Sequence, residues 1–170
     1  PAGVAGDLRL NTDDSRLEFY NGTDWKRLSE SAAVLPSVTV DYLVVAGGGA
    51  AGTFYGACAG AGGLRTSYGS TSGGGASAAS SLPLSLSTNY TVTVGAGAAG
   101  NGSPATTVAS RKGSDSVFDT ITSAGGGGGA TGGGSGAAYL TGGNGGSGGG
   151  AWTNQGAGTG TASQGFAGGT

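Results

Sequence analysis

Val38-Thr39-Val40-Asp41-Tyr42-Leu43-Val44-Val45-Ala46-Gly47-Gly48-Gly49 decides how the rest of this 170-residue chain is read. It opens with β-branched and aromatic residues, which favour a pleated strand, and ends in a glycine run. Before it the chain is charged and compositionally ordinary; after it Gly, Ala, Ser and Thr dominate. All but three of the 42 glycines follow Val45, the exceptions being Gly3, Gly6 and Gly22. Charge runs the other way: beyond Val45 only Arg65, Arg111, Lys112, Asp115 and Asp119 are charged.

Composition excludes several function classes. Low-complexity segments are commonly disordered, but disorder normally accompanies high net charge, and the net charge here is −2. Lys and Arg do not cluster beyond Arg111-Lys112, so nucleic acid is not an expected partner. The longest apolar run, 42–46, is too short to span a bilayer, and no membrane insertion is expected. Cys58 is alone and His is absent, which argues against an intrachain disulfide, a His-based triad and the usual metal sites. No catalytic residue, metal or cofactor is expected, and the chain is read as a non-enzyme. Pro1 at the start and the lack of Met predict a fragment or processed piece.

Upstream, residues 7–29 predict a β-meander. Asp7-Leu8-Arg9-Leu10-Asn11 and Arg16-Leu17-Glu18-Phe19-Tyr20 alternate apolar and polar residues, and Asn21-Gly22 is a hairpin turn whose residues tolerate positive φ. Trp25-Lys26-Arg27-Leu28 returns. Leu8, Leu10, Leu17, Phe19, Trp25 and Leu28 are the expected buried set. Three short strands cannot sustain a core alone, so the module is expected to pack against copies of itself, with packing on the second domain as the alternative. The expected domains are 1–28, a linker at 29–37 and a glycine-rich domain over 38–170.

Downstream, strands are predicted at 38–45, 82–87 and 90–94, and more weakly at 105–109 and 117–121. No helix is expected, because a glycine inside a helix costs about 1 kcal/mol relative to alanine. Gly142-Gly143-Asn144-Gly145-Gly146-Ser147-Gly148-Gly149-Gly150 repeats with period three, the period of the polyproline-II helix. Collagen would need strict glycine at every third place and abundant proline. A polyglycine-II bundle fits better: without Cβ atoms, neighbouring backbones can approach and pair N–H with C=O. A floppy linker is the competing reading. The residues therefore read as all-β with essentially no helix: a small meander, then strands elaborated with polyglycine-II segments.

The strand followed by Gly47-x-Gly49-x-x-Gly52 matches the dinucleotide-binding fingerprint, as does Gly95-x-Gly97-x-x-Gly100. That chemistry needs a following helix and an acid about 20 residues on. Thr53 to Leu64 is too glycine-rich for a helix, and no Asp or Glu lies between Asp41 and Asp115. Nucleotide binding is rejected. Aromatics that interrupt the glycine stretches carry the strongest binding signal: Phe54, Tyr55, Tyr68, Tyr139, Trp152 and Phe166. On loops over a rigid scaffold they would form a binding tip; packed inward they would plug the core.

Two stretches resemble known families. Gly6-Asp7-Leu8-Arg9-Leu10-Asn11 with Leu17-Glu18-Phe19-Tyr20-Asn21-Gly22-Thr23-Asp24-Trp25 is similar to a short module of bacteriophage fibre proteins. That resemblance implies a homotrimeric shaft ahead of a receptor-binding tip. Residues 40–49, Leu82-Pro83-Leu84-Ser85-Leu86-Ser87 with Tyr90-Thr91-Val92-Thr93-Val94-Gly95-Ala96-Gly97, and Ser123-Ala124-Gly125-Gly126-Gly127-Gly128-Gly129 resemble the glycine-rich domain of tail-fibre and other virion proteins of phages. The resemblance extends more loosely to the polyglycine-II adhesins at the fibre tips of T-even-like phages, whose recognition loops join glycine helices. It implies a β-sandwich elaborated with polyglycine-II segments, in an extracellular virion component that attaches to a host-surface glycan or outer-membrane protein, alongside other fibre proteins. A purely structural fibre or filament subunit is the alternative expectation.

Overall fold

Alternation over residues 8–27 builds one antiparallel sheet. β1 (Leu8–Asn11), β2 (Arg16–Tyr20) and β3 (Trp25–Arg27) form it in the order β1-β2-β3. The computed structural model describes residues 3–13, 15–28, 37–100, 111–132 and 140–170. The chain divides into two compact units, Pro1–Pro36 and Ser37–Thr170. The linker expected at 29–37 lies outside the described residues except for Ser37, which begins a strand.

Register sorts the meander's side chains onto two faces. Leu8 lies opposite Phe19 and Leu10 opposite Leu17, while Arg9 pairs with Glu18, and Tyr20 with Trp25. The polar face is the packed one. Arg9 Nη2 donates to Glu18 Oε2 at 2.7 Å and Asn11 Nδ2 to Glu18 Oε1 at 3.0 Å. The Arg9 guanidinium stacks 4.3 Å from the Trp25 ring centre, and Trp25 leans on Tyr20 at 5.3 Å. Glu18 is only 6% exposed. The leucine face is open instead: Leu8 is 64% exposed, and Leu10, Leu17, Phe19 and Leu28 are exposed too. Burial of Leu17 and Phe19 is thus not achieved within the meander itself. Trp25 is not part of that face either. Its register with Tyr20 places it on the opposite side, against Arg9.

The second unit begins with a correction. The expected single strand 38–45 is two strands in two sheets: β4 (Ser37–Val40) pairs with β7 (Leu82–Ser85), and β5 (Leu43–Val45) with β6 (Leu64–Thr66). The break falls at Asp41-Tyr42. Ser67 and Ser81 hydroxyls donate to Asp41 Oδ1, and the Tyr42 N–H donates to Ser67 Oγ at 2.9 Å. β8 (Val92–Thr93), β9 (Ser116–Phe118) and β10 (Ile121–Ser123) form a third sheet, ordered β10-β9-β8. The segment expected as one strand at 117–121 is instead a hairpin turning at Asp119, whose φ is +51°. The strand expected at 105–109 lies outside the described residues. A 3-10 turn at Gly73–Gly75 is present, and no helix among the described residues reaches seven residues. The unit is essentially all-β, with small antiparallel sheets.

Glycine segments fill the rest of this unit, and their hydrogen bonds recur every third residue. The N–H groups of Ala46, Gly49 and Gly52 donate to the carbonyls of Gly63, Gly60 and Ala57; those of Ala57, Gly60 and Gly63 donate to Ala130, Gly127 and Ala124. Gly47 and Ala50 donate in another direction, to Ser114 and Arg111. Gly127 and Ala130 reach Ser147 and Gly150, while Gly126 and Gly129 reach Gly47 and Ala50. Three residues per turn, each pointing to a different neighbour, is the geometry of a polyglycine-II bundle. Segment 124–132 is its axis, bonded to segments 46–52, 57–63, 111–115 and 142–151.

Close approach is what these glycines provide. A Cβ on Gly49, Gly60, Gly126, Gly127 or Gly149 would come closer than 3 Å to a neighbouring backbone carbonyl. None of those five has a positive φ, so conformational freedom is not the reason for them. The buried apolar side chains are correspondingly few and mostly small: Tyr42, Val44, Ala46, Ala50 and Ala130. Satisfied backbone groups replace a conventional side-chain core.

Candidate functional site

The bundle has two ends. At one, segments 46–52 and 124–132 continue from β5 and β10. At the other, Gly52, Ala57, Ala130 and Gly150 close a layer: Gly52 N–H donates to Ala57, Ala57 to Ala130, and Ala130 to Gly150. Two described loops lie beyond that layer. Residues 53–56 join segments 46–52 and 57–63, and residues 152–155 follow segment 142–151. The loops meet at Gly132, whose N–H donates to Thr53 O at 3.0 Å and whose Cα lies beside the Phe54 carbonyl and the Trp152 ring. Trp152 N–H is tied in turn to Leu140 O at 2.9 Å.

Three of the six aromatic candidates belong to this end. Phe54 and Tyr55 are adjacent, 57% and 91% exposed, and both left-handed, with φ of +51° and +58°. Bulky residues rarely adopt that conformation, which costs of order 1 kcal/mol or more each. Trp152 is half-buried against Gly132. Phe166 stands apart on the bundle flank, where its carbonyl accepts from Gly148, and Tyr68 lies beyond β6 near Tyr42, at the sheet end. Tyr139 lies outside the described residues.

Asn154 and Gln155 escaped the sequence reading as site residues although they adjoin Trp152. Asn154 is left-handed at φ +52°, both are exposed, and no described residue engages either side-chain amide. A polar pair beside an aromatic was the available signal; the turn that aims them was not visible. Beneath the loops, Arg111 is fully buried, and its Nε and Nη2 donate to Gly129 O at 3.2 and 2.8 Å. Burial pushes its pKa down from the usual guanidinium value. The Thr53 and Thr131 hydroxyls are buried there without a described partner.

Elsewhere the chemistry is structural. Hydrogen bonds from Ser81 and then Ser67 hold Asp41 below the ordinary carboxylate range. In the fingerprint, the N–H groups of Gly47, Gly49 and Gly52 are spent on Ser114, Gly60 and Ala57 carbonyls, so they do not point at a phosphate. No group of three or more His, Cys, Asp or Glu among the described residues is placed to hold a metal. No described helix is long and apolar enough to cross a membrane.

Neither the curated proteins nor the solved structures include a match to this chain. A protein-family comparison does, through residues 29–170, which take in every glycine segment of the bundle and both loops at its end. By that match, the chain belongs to the glycine-rich domain family.

Proposed function

We propose that this chain is a distal, adhesin-like part of a bacteriophage tail fibre that attaches the virion to the host surface. The observation that carries the reading is the end of the glycine bundle. There the adjacent Phe54 and Tyr55 are exposed and both left-handed, an uncommon conformation for bulky residues. A bundle held by backbone bonds is a rigid mount, and aromatics on loops over such a mount suit recognition.

The meander supplies the second part of the proposal, a homotrimer. Its open face of Leu8, Leu10, Leu17, Phe19 and Leu28 is a sizeable apolar area for so small a sheet, and two further copies would bury it. Three tips on one shaft would then multiply weak contacts through avidity.

The alternative is a structural subunit without receptor contact. It is favoured by the shallow apolar groove between β5 and β8, where Leu43, Val45, Val92 and Val94 are exposed and a neighbouring chain could pack. Immunolabelling of intact particles with antibody to residues 37–170 separates the two readings. Label at the free ends of fibres is the expected result. Label spaced along a shaft or filament would overturn the adhesin reading.

A further inference from the structure

The chemistry of the loop end points to a neutral saccharide as its ligand, an inference that rests on the attachment reading above. The first observation is the absence of charge. No Asp, Glu, Lys or Arg occurs from residue 46 to 64 or from 120 to 170. The nearest cations belong to segment 111–115: Arg111 is buried on Gly129 O, and Lys112 follows it in the direction of the sheet end. A phosphorylated or acidic ligand would find no counter-charge on these loops, and a cationic one no carboxylate.

The second observation is what stands there instead. Phe54 and Tyr55 present open ring faces, and the Asn154 and Gln155 amides have no described partner. A pyranose ring offers a matching pair of surfaces. Its axial C–H bonds form an apolar face that stacks on an aromatic ring, and its hydroxyls both donate and accept, as a carboxamide does.

The third observation concerns preorganisation. Both loops are tied by backbone hydrogen bonds before a ligand arrives: Gly132 N–H donates to Thr53 O, Trp152 N–H to Leu140 O and Gln155 N–H to Trp152 O. A weakly binding sugar gains most from a site that loses little freedom on binding.

The test uses the intact chain, fluorescently labelled at its single cysteine, and a panel of bacterial strains. Cells are left untreated, oxidised with periodate to destroy vicinal diols, or shaved with protease. We expect periodate to lower binding at least tenfold, protease to leave it within twofold, and a rise from 0.05 to 0.5 M NaCl to leave it within twofold. Tyr55→Ala should lose at least tenfold while Tyr55→Trp, which keeps a ring face, retains binding. Loss of binding after protease but not periodate would overturn the saccharide inference and leave attachment standing. Binding that collapses in salt would likewise overturn it in favour of a charged ligand. Failure to bind every strain would overturn the attachment reading itself.

Discussion

The two units of this chain solve the same problem in opposite ways. The meander is held by side chains: Arg9 bridges Glu18 and Trp25, Asn11 completes the carboxylate, and Tyr20 supports the indole. Its apolar side chains are left outside. The glycine bundle has discarded side chains, and each segment is held by N–H to carbonyl bonds at every third residue. A net gain of about 0.5–1.5 kcal/mol per hydrogen bond is small singly but accumulates across a lattice. Side-chain architecture tolerates a change in shape where a neighbour can move. Backbone architecture does not, because the neighbour of each missing Cβ is itself a peptide fixed by its own bonds.

That difference makes the largest prediction. Gly127→Ala should cost about 3 kcal/mol or more, because the new methyl would collide with the Gly143 carbonyl and overpacking against fixed neighbours is expensive. Gly48→Ala, where nothing lies within 4 Å, should stay within about 0.5 kcal/mol of the parent. Thermal unfolding of both variants checks the contrast, and equal losses would break it.

The meander is sharpened by a second pair. Leu17→Asp should reduce the mass in light scattering from three copies to one. It removes an apolar contact worth about 2 kcal/mol per copy and introduces charge. Trp25→Ala, on the opposite face, should lower the melting temperature of the meander without changing that mass. If Trp25→Ala dissociates the assembly and Leu17→Asp does not, the wrong face has been assigned.

Acid should distinguish the units less strongly. Glu18 is held below its ordinary pKa first by the Asn11 hydrogen bond, then by Arg9. A carboxylate depressed in the folded state contributes stability that is complete above its unfolded pKa and disappears as pH falls through the folded one. The meander should therefore weaken below the usual carboxylate range, and Glu18→Gln should flatten that dependence. Trp25 fluorescence in a Trp152→Phe background reads it. Asp41 has the same sign, but it clamps the β4–β5 break rather than the glycine lattice.

Much of this contrast was legible in the residues. Alternation marked the meander's strands to within a residue or two, because register and turn chemistry there are local. Period three was visible in residues 142–150, where neighbours crowd the segment on several sides. It was not visible in 46–52 or 57–63, where Ala46, Ala50 and Ala51, and Ala57, Ala59 and Ala61, blur the glycine repeat. The break at Asp41 depends on Ser67 and Ser81, 26 and 40 residues away, which no local pattern encodes. At the loop end the aromatics could be named, but their division between bundle end, flank and sheet end could not, because it follows from how the segments stack. Trp25 was misplaced for a simpler reason: it is apolar, yet its register puts it with the ions.

The central claim is that glycine segments are ordered by hydrogen bonds of period three, and residue-resolved amide hydrogen exchange over 46–52 tests it directly. Ala46, Gly47, Gly49, Ala50 and Gly52 donate to carbonyls, whereas Gly48 and Ala51 have no described acceptor. The account predicts protection at the first five and rapid exchange at Gly48 and Ala51, a gap at every third residue. Uniformly rapid exchange, as in a flexible linker, or protection alternating every second residue, as in an edge strand, would contradict it.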